Sequence, residues 1–170
     1  DFNFSGPQVS NSAVLYTIES SAVLSNPIGI LKYYANGIDI RDKNHQTVQN
    51  WIAPNSSYYN GQALAQGMLL LPINDSLDYY FCHANGLTTT HGSACYLAKI
   101  DPRGNNGLGA VTQTHIKLGD SLTEHMAAVR HADGKTWWVV NHRSRSDEFI
   151  LWQIGLDGSI TKTTQNIGRV

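Results

Sequence analysis

The sequence predicts an all-β protein, and three observations carry that prediction. Short apolar runs alternate with turn dipeptides, notably Asn36-Gly37, Asp133-Gly134 and Asp157-Gly158, and Asn-Gly or Asp-Gly between apolar runs is a strong hairpin signal. A strand pattern recurs: the pairs Tyr79-Tyr80 and Trp137-Trp138 open equivalent strands, and His83 and His142 close them. No window combines a 3.6-residue apolar period with helix caps, so no helix of ordinary length is expected.

The clearest unit spans residues 124–168. Residues 126–131, 136–142, 149–155 and 159–167 read as strands, separated by the turn 132–135, the polar loop 143–148 and the turn 156–158. The two Asp-Gly turns are expected to be type I′, with positive φ at both central residues. Four hairpin-linked strands form a meander, the unit of a β-propeller blade. Residues 67–118 follow the same plan, with strands at 67–73, 79–83, 94–100 and 111–118 and a turn at 74–78. The repeat is roughly 50 residues, within the blade range. In the first third, residues 13–18 and 21–24 read as strands, and 29–35 leads through Asn36-Gly37 into 38–41. Residues 42–45 form a turn and 51–66 are mostly loop, with Ala63-Leu64-Ala65 either a helical turn or a strand start. Three blade-like units are expected, at about residues 13–66, 67–119 and 124–168.

Composition narrows the partners. The chain has 170 residues, a net charge of −1 and 15% charged residues, so it lacks the basic excess that nucleic acid binding needs. Its apolar runs are too short to span a membrane. A hydrophobic content of 41% supplies a core. Few Lys and Glu, with many Asn, Ser, Thr, Gly and Tyr, suit an extracellular β-rich protein. No signal peptide is present, and processing or truncation would each account for a chain opening at Asp1.

The candidate chemistry is sparse, and each feature has a simpler structural reading. Seven His are present, none in an HExxH or Cys-x-x-Cys frame. Glu124, His125, His131 and His142 would suffice for zinc if the strands carrying them converged, but polar side chains at strand ends also serve to satisfy turns. Asp120, Glu124, Asp133 and Asp147 supply carboxylates for glycosidase-like chemistry, which needs two of them a few ångströms apart; Asx turns explain them equally. Calcium has only faint counterparts at residues 101–106 and 157–159, without the twelve-residue ligand pattern. The charged loop 143–148 offers Arg143 and Arg145 as recognition residues for carboxylates or sulfates, against a plain solvated hairpin. Tyr58 and Tyr59, in a polar loop, are candidates for stacking on carbohydrate or protein, or for covering a blade edge. Candidate binding residues are therefore Tyr58, Tyr59, Arg143, Arg145, His131 and His142, with no catalytic residue, metal or cofactor assigned. Asn3, Asn55 and Asn74 begin Asn-x-Ser sequons, as chance allows in so Asn- and Ser-rich a chain. Cys82 and Cys95 lie on strands expected to be neighbours; a disulfide forms only if register sets them nearly opposite, and otherwise both are buried thiols.

Several segments in order carry a family resemblance. Tyr33-Tyr34-Ala35-Asn36-Gly37, continuing through Arg41-Asp42-Lys43-Asn44-His45, resembles a segment of secreted Bacteroidetes WD40-like propeller proteins, which commonly end in a type IX secretion sorting domain. Residues 67–81, Ile100-Asp101 with Asn106-Gly107-Leu108-Gly109, Ala128-Val129-Arg130-His131-Ala132-Asp133-Gly134 with Trp137-Trp138, and residues 149–160 are similar to further segments of that family. His125 stands where the family usually has Lys, and Asp101-Pro102-Arg103 replaces a Met-containing segment. The resemblance implies a seven-bladed propeller of which these residues form the N-terminal part, in a secreted or cell-surface protein. The family has no single activity. The expected function is a non-catalytic propeller module that binds protein or glycan, or builds an extracellular structure. The alternatives are a secreted carbohydrate-active hydrolase or lyase, and a structural subunit whose partial propellers assemble between chains. Either other chains or the remainder of the propeller are expected to cover the outermost blade.

Overall fold

The computed structural model describes residues 14–17, 19–53, 64–84 and 93–168, with His83 and Ala84 described by backbone alone. The regular structure of the described residues is almost entirely antiparallel β. Strands β1 (Ala22–Ser25), β2 (Leu31–Ala35) and β3 (Ile40–Asp42) form one sheet in that order. The second sheet has seven strands: β4 (Met68–Asn74), β5 (Leu77–Ala84), β6 (Ser93–Asp101), β7 (Ala110–Arg130), β8 (Trp137–Arg143), β9 (Glu148–Ile154) and β10 (Ile160–Asn166). They lie in sequential order from β4 at one edge to β10 at the other, so the sheet is open. The only helical element among the described residues is a single turn, α1 (Gly104–Gly107), distorted by left-handed Asn105 and Asn106.

Two meanders were expected, but they are joined. Residues 119–125, expected to connect separate units, remain extended, so the closing strand of one unit and the opening strand of the next form the 21-residue β7. The first part of β7 pairs with β6 from Ala110 to Leu122, and the last part pairs with β8 from Leu122 to Arg130. Positive φ at His115 and Ser121 and the register shift between Leu122 and Met126 bend it. A bent strand of this kind can leave one layer and enter the next.

The result is three layers stacked face to face. Side chains alternate across a strand, and those of β5 divide accordingly. Tyr80 and Cys82 join a core with Leu24, Tyr33 and Ile40 of the first sheet. Tyr79 and Phe81 join a second core with Val139, Ile150, Trp152 and Ile154 of β8 and β9. The β4–β6 layer is therefore buried on both faces, which explains its unbroken apolar runs Met68-Leu69-Leu70-Leu71 and Tyr79-Tyr80-Phe81-Cys82. Each fully buried side chain of this size contributes about 1.5–3 kcal/mol. The edge strand β10 is polar and largely exposed, with Lys162 near its middle, a composition that discourages edge-to-edge pairing.

Two local expectations are corrected, and the state of Cys82 and Cys95, left open by the sequence, is visible. Asn36-Gly37, Asp133-Gly134 and Asp157-Gly158 do lie in hairpin connections, but positive φ falls only on the glycines. The preceding Asn or Asp instead accepts hydrogen bonds from the turn backbone: Asn36 from Ile38 and Asp39, Asp133 from Lys135 and Thr136, Asp157 from Ser159. These Asx interactions support longer turns than a two-residue type I′ connection. Residues 14–17 form no strand. Cys82 and Cys95 do not form a disulfide: Cys82 lies opposite Tyr96 and Cys95 opposite His83, and the two thiols enter different cores.

Candidate functional site

One end of the stack gathers the β1–β2, β4–β5, β7–β8 and β9–β10 connections and the turn after β6. Hydrogen bonds tie the second and third layers together there. Tyr79 Oη donates to the Gly158 carbonyl at 2.6 Å, Asn74 Nδ2 to the Leu156 carbonyl at 2.6 Å, and Trp137 Nε1 to the Pro72 carbonyl at 2.9 Å. A cleft of about 660 Å³ opens among these turns. The first layer contributes Asn26 and Lys32, the second Asp75, Asp78 and Arg103, and the end of β7 contributes Arg130.

Asp78 stands at the base of this site. Strand periodicity places it on the same face of β5 as Tyr80 and Cys82, towards the first layer, where Lys32 of β2 meets it. Its side chain is 0% exposed, Lys32 Nζ donates to Oδ2, and Oδ1 has no hydrogen-bond partner. Burial raises its carboxyl pKa, while the hydrogen bond and charge of Lys32 oppose the rise. A buried acceptor without a donor costs about 1–3 kcal/mol, and Oδ1 is closed off from solvent behind the cleft wall.

The two arginines are held differently. Arg103 donates through Nε and Nη2 to Asp101, at 3.1 and 3.2 Å, and this pairing lowers the Asp101 pKa. Arg130 donates through Nη1 to the carbonyls of Gly134 and Lys135, and its guanidinium lies 4.3 Å from the centroid of the Trp137 ring. Trp137 is itself anchored to Pro72, so the hairpin turn and the indole fix Arg130 at the rim with a cation–π contact. No carboxylate among the described residues pairs with Arg130.

The residues expected from the sequence are dispersed. Arg143 is paired with Glu148, Arg145 is exposed in the β8–β9 turn with φ 54°, and His142 lies 4.6 Å from Phe149 between ring centroids. All three sit at the end of β8 opposite the cleft, roughly 20 Å from it at the usual strand rise. His131 follows Arg130 and is at the cleft end, where its Nδ1 accepts a hydrogen bond from the Asp133 backbone at 3.2 Å; it acts as a turn cap. Tyr58 and Tyr59 lie outside the described residues. His131 and His142 do not converge, and among the described residues no three His, Cys, Asp or Glu side chains form a group that could hold a metal ion. Lys32, Asp78, Arg103 and Arg130 were not foreseen. The available signal was Asp78: Leu77-Asp78-Tyr79-Tyr80-Phe81 is one strand, and its single charge has the interior parity of Tyr80.

Comparisons with protein-family models, curated proteins and solved structures return no match to this chain. Fold and site together define a layered all-β protein with a polar cleft at one end of the stack.

Proposed function

We propose that this protein is a non-catalytic binding module, secreted or at the cell surface, that takes a glycan in the cleft between its layers. The observation that carries the reading is the cleft itself. Its volume of about 660 Å³ lies within the range of small-molecule sites, and Asn26, Lys32, Asp75, Arg103 and Arg130 supply its polar lining. Asn26, Asp75 and Lys32 are the side-chain types that exchange hydrogen bonds with hydroxyl groups. Pro27, Pro72 and Pro102 provide rigid apolar ledges for the C–H face of a sugar ring. In this reading the three layers are consecutive propeller-type blades, and β7 passes from the outer strand of one blade to the inner strand of the next. The resemblance to secreted propeller proteins supports the same architecture and compartment.

A panel of extracellular oligosaccharides, incubated with the folded protein, tests the reading when retained ligand and released product are both measured. Retention of unchanged glycans is the expected result. Product release would favour the hydrolase or lyase alternative, and retention of none would contradict a glycan-binding role.

A further inference from the structure

We infer that the cleft is built for a sugar bearing a carboxylate, with Arg130 receiving the carboxylate. This deepens the glycan-binding role proposed above and rests on it. Lys32, Arg103 and Arg130 line the cleft against Asp75 and Asp78, and two of these cations already have partners. Lys32 is engaged by Asp78, and Arg103 by Asp101 through Nε and Nη2. Arg130 makes its hydrogen bonds to two neutral carbonyls through Nη1 alone, which leaves its charge uncompensated and its Nε and Nη2 without protein acceptors among the described residues. A guanidinium with two adjacent free N–H groups matches the planar carboxylate in a two-point hydrogen bond. The contact with Trp137 and the two turn carbonyls hold that fork before ligand arrives, so less side-chain freedom is lost on binding.

The base of the cleft asks for no second charge. The Asp78 carboxylate lies behind it, fully buried and engaged by Lys32, and disfavours a second anionic group, so the ligand carries one carboxylate at the rim and neutral hydroxyls beyond it. The ledges of Pro27, Pro72 and Pro102 admit the apolar face of the ring between them. Uronic acid residues combine these features in one unit.

The test uses calorimetric titration of the full chain with a uronate-containing disaccharide, its methyl ester and the neutral disaccharide of the same linkage. The acid should bind at least tenfold more tightly than the ester or the neutral sugar. Arg130→Gln should abolish that preference while leaving weak binding of all three, and Arg130→Lys should retain part of it. The thermal melt of each variant establishes that it is folded. Equal binding of acid, ester and neutral sugar would overturn the carboxylate assignment and leave the glycan-binding role standing. A preference for the acid that survives Arg130→Gln in a folded variant would overturn the assignment to this cleft. Absence of binding by any of the three, with other glycans retained, would overturn this inference alone. Absence of binding by every glycan would overturn both.

Discussion

At Gly109 the backbone has φ +92°, and a Cβ would lie 2.5 Å from the hydroxyl oxygen of Tyr33 and 2.7 Å from its ring. Tyr33 is buried in the core between the first and second layers, so neither partner can easily yield. Gly107 has a similar φ of +82°, but nothing lies within 4 Å of its Cβ position. The pair separates backbone strain from steric overlap. Gly107→Ala should cost about 1–2 kcal/mol, the left-handed penalty, and Gly109→Ala should cost about 1–3 kcal/mol more through overpacking. Urea denaturation of both variants measures the difference, and equal losses would remove the Tyr33 contact from the explanation. The turn aspartates govern acid stability. Hydrogen bonds from the backbone N–H groups of Lys135 and Thr136 hold the Asp133 pKa well below the usual carboxylate range, and Asp157 is lowered by Ser159 and Asp101 by Arg103. A carboxyl whose folded pKa is depressed stabilises the fold above its unfolded value, about 3.9, and loses that contribution as pH falls through the folded value. Asp78 has the opposite sign, because its folded pKa is raised; its protonation favours the fold as pH drops. The melting temperature should therefore fall below about pH 4, and Asp133→Ala should flatten that decline while lowering stability at neutral pH.

Among the elements, β5 and β6 show how strand parity decides chemistry. Cys82 and Cys95 sit on adjacent strands, yet one register step sends them to opposite faces. Burial pushes the Cys82 thiol up to about 12 and raises Cys95 as well. Both should resist a thiol reagent at pH 8 in the native protein and react fully after denaturation without reductant. Fewer than two reactive thiols after denaturation would contradict the free state. Strands β4–β6 and β8–β10 were legible in the sequence because apolar alternation, aromatic pairs and Gly-centred turns agreed at each of them. The continuity of β7 was not legible. Gly119-Asp120-Ser121 has the composition of a turn, but pairing to β6 on one side and β8 on the other keeps it extended, a tertiary effect that overrides local preference. The turn types were missed because an Asp or Asn side chain can satisfy the backbone and relieve its own residue of positive φ. The cleft was hidden for a different reason: its charged residues are scattered from Lys32 to Arg130 and meet only when the layers stack.

Across the whole molecule, the outer face of the third layer sets the behaviour in solution. Strand alternation places Trp138, Val140, Phe149 and Leu151 together there, all only half-buried, with Val129 of β7 59% exposed beside them. In the propeller reading this face packs on a further β layer, as both faces of the β4–β6 layer already do. The 170-residue chain alone should therefore self-associate, and sedimentation over a concentration series should show species heavier than 18.7 kDa. A strictly monomeric species at all concentrations would contradict a covering layer. The stacking order itself is the foundation of the cleft, since the residues of the site come from three layers. Nuclear Overhauser contacts between Ile methyl groups and aromatic rings in selectively labelled protein test it most directly. The stack predicts cross-peaks from Ile150 and Ile154 into the core of Tyr79 and Phe81, from Ile40 into the core of Tyr33 and Tyr80, and none between the two sets. Cross-peaks joining Ile150 or Ile154 to Tyr33 or Tyr80 would place β8 and β9 on the wrong face of β5 and contradict the three-layer arrangement.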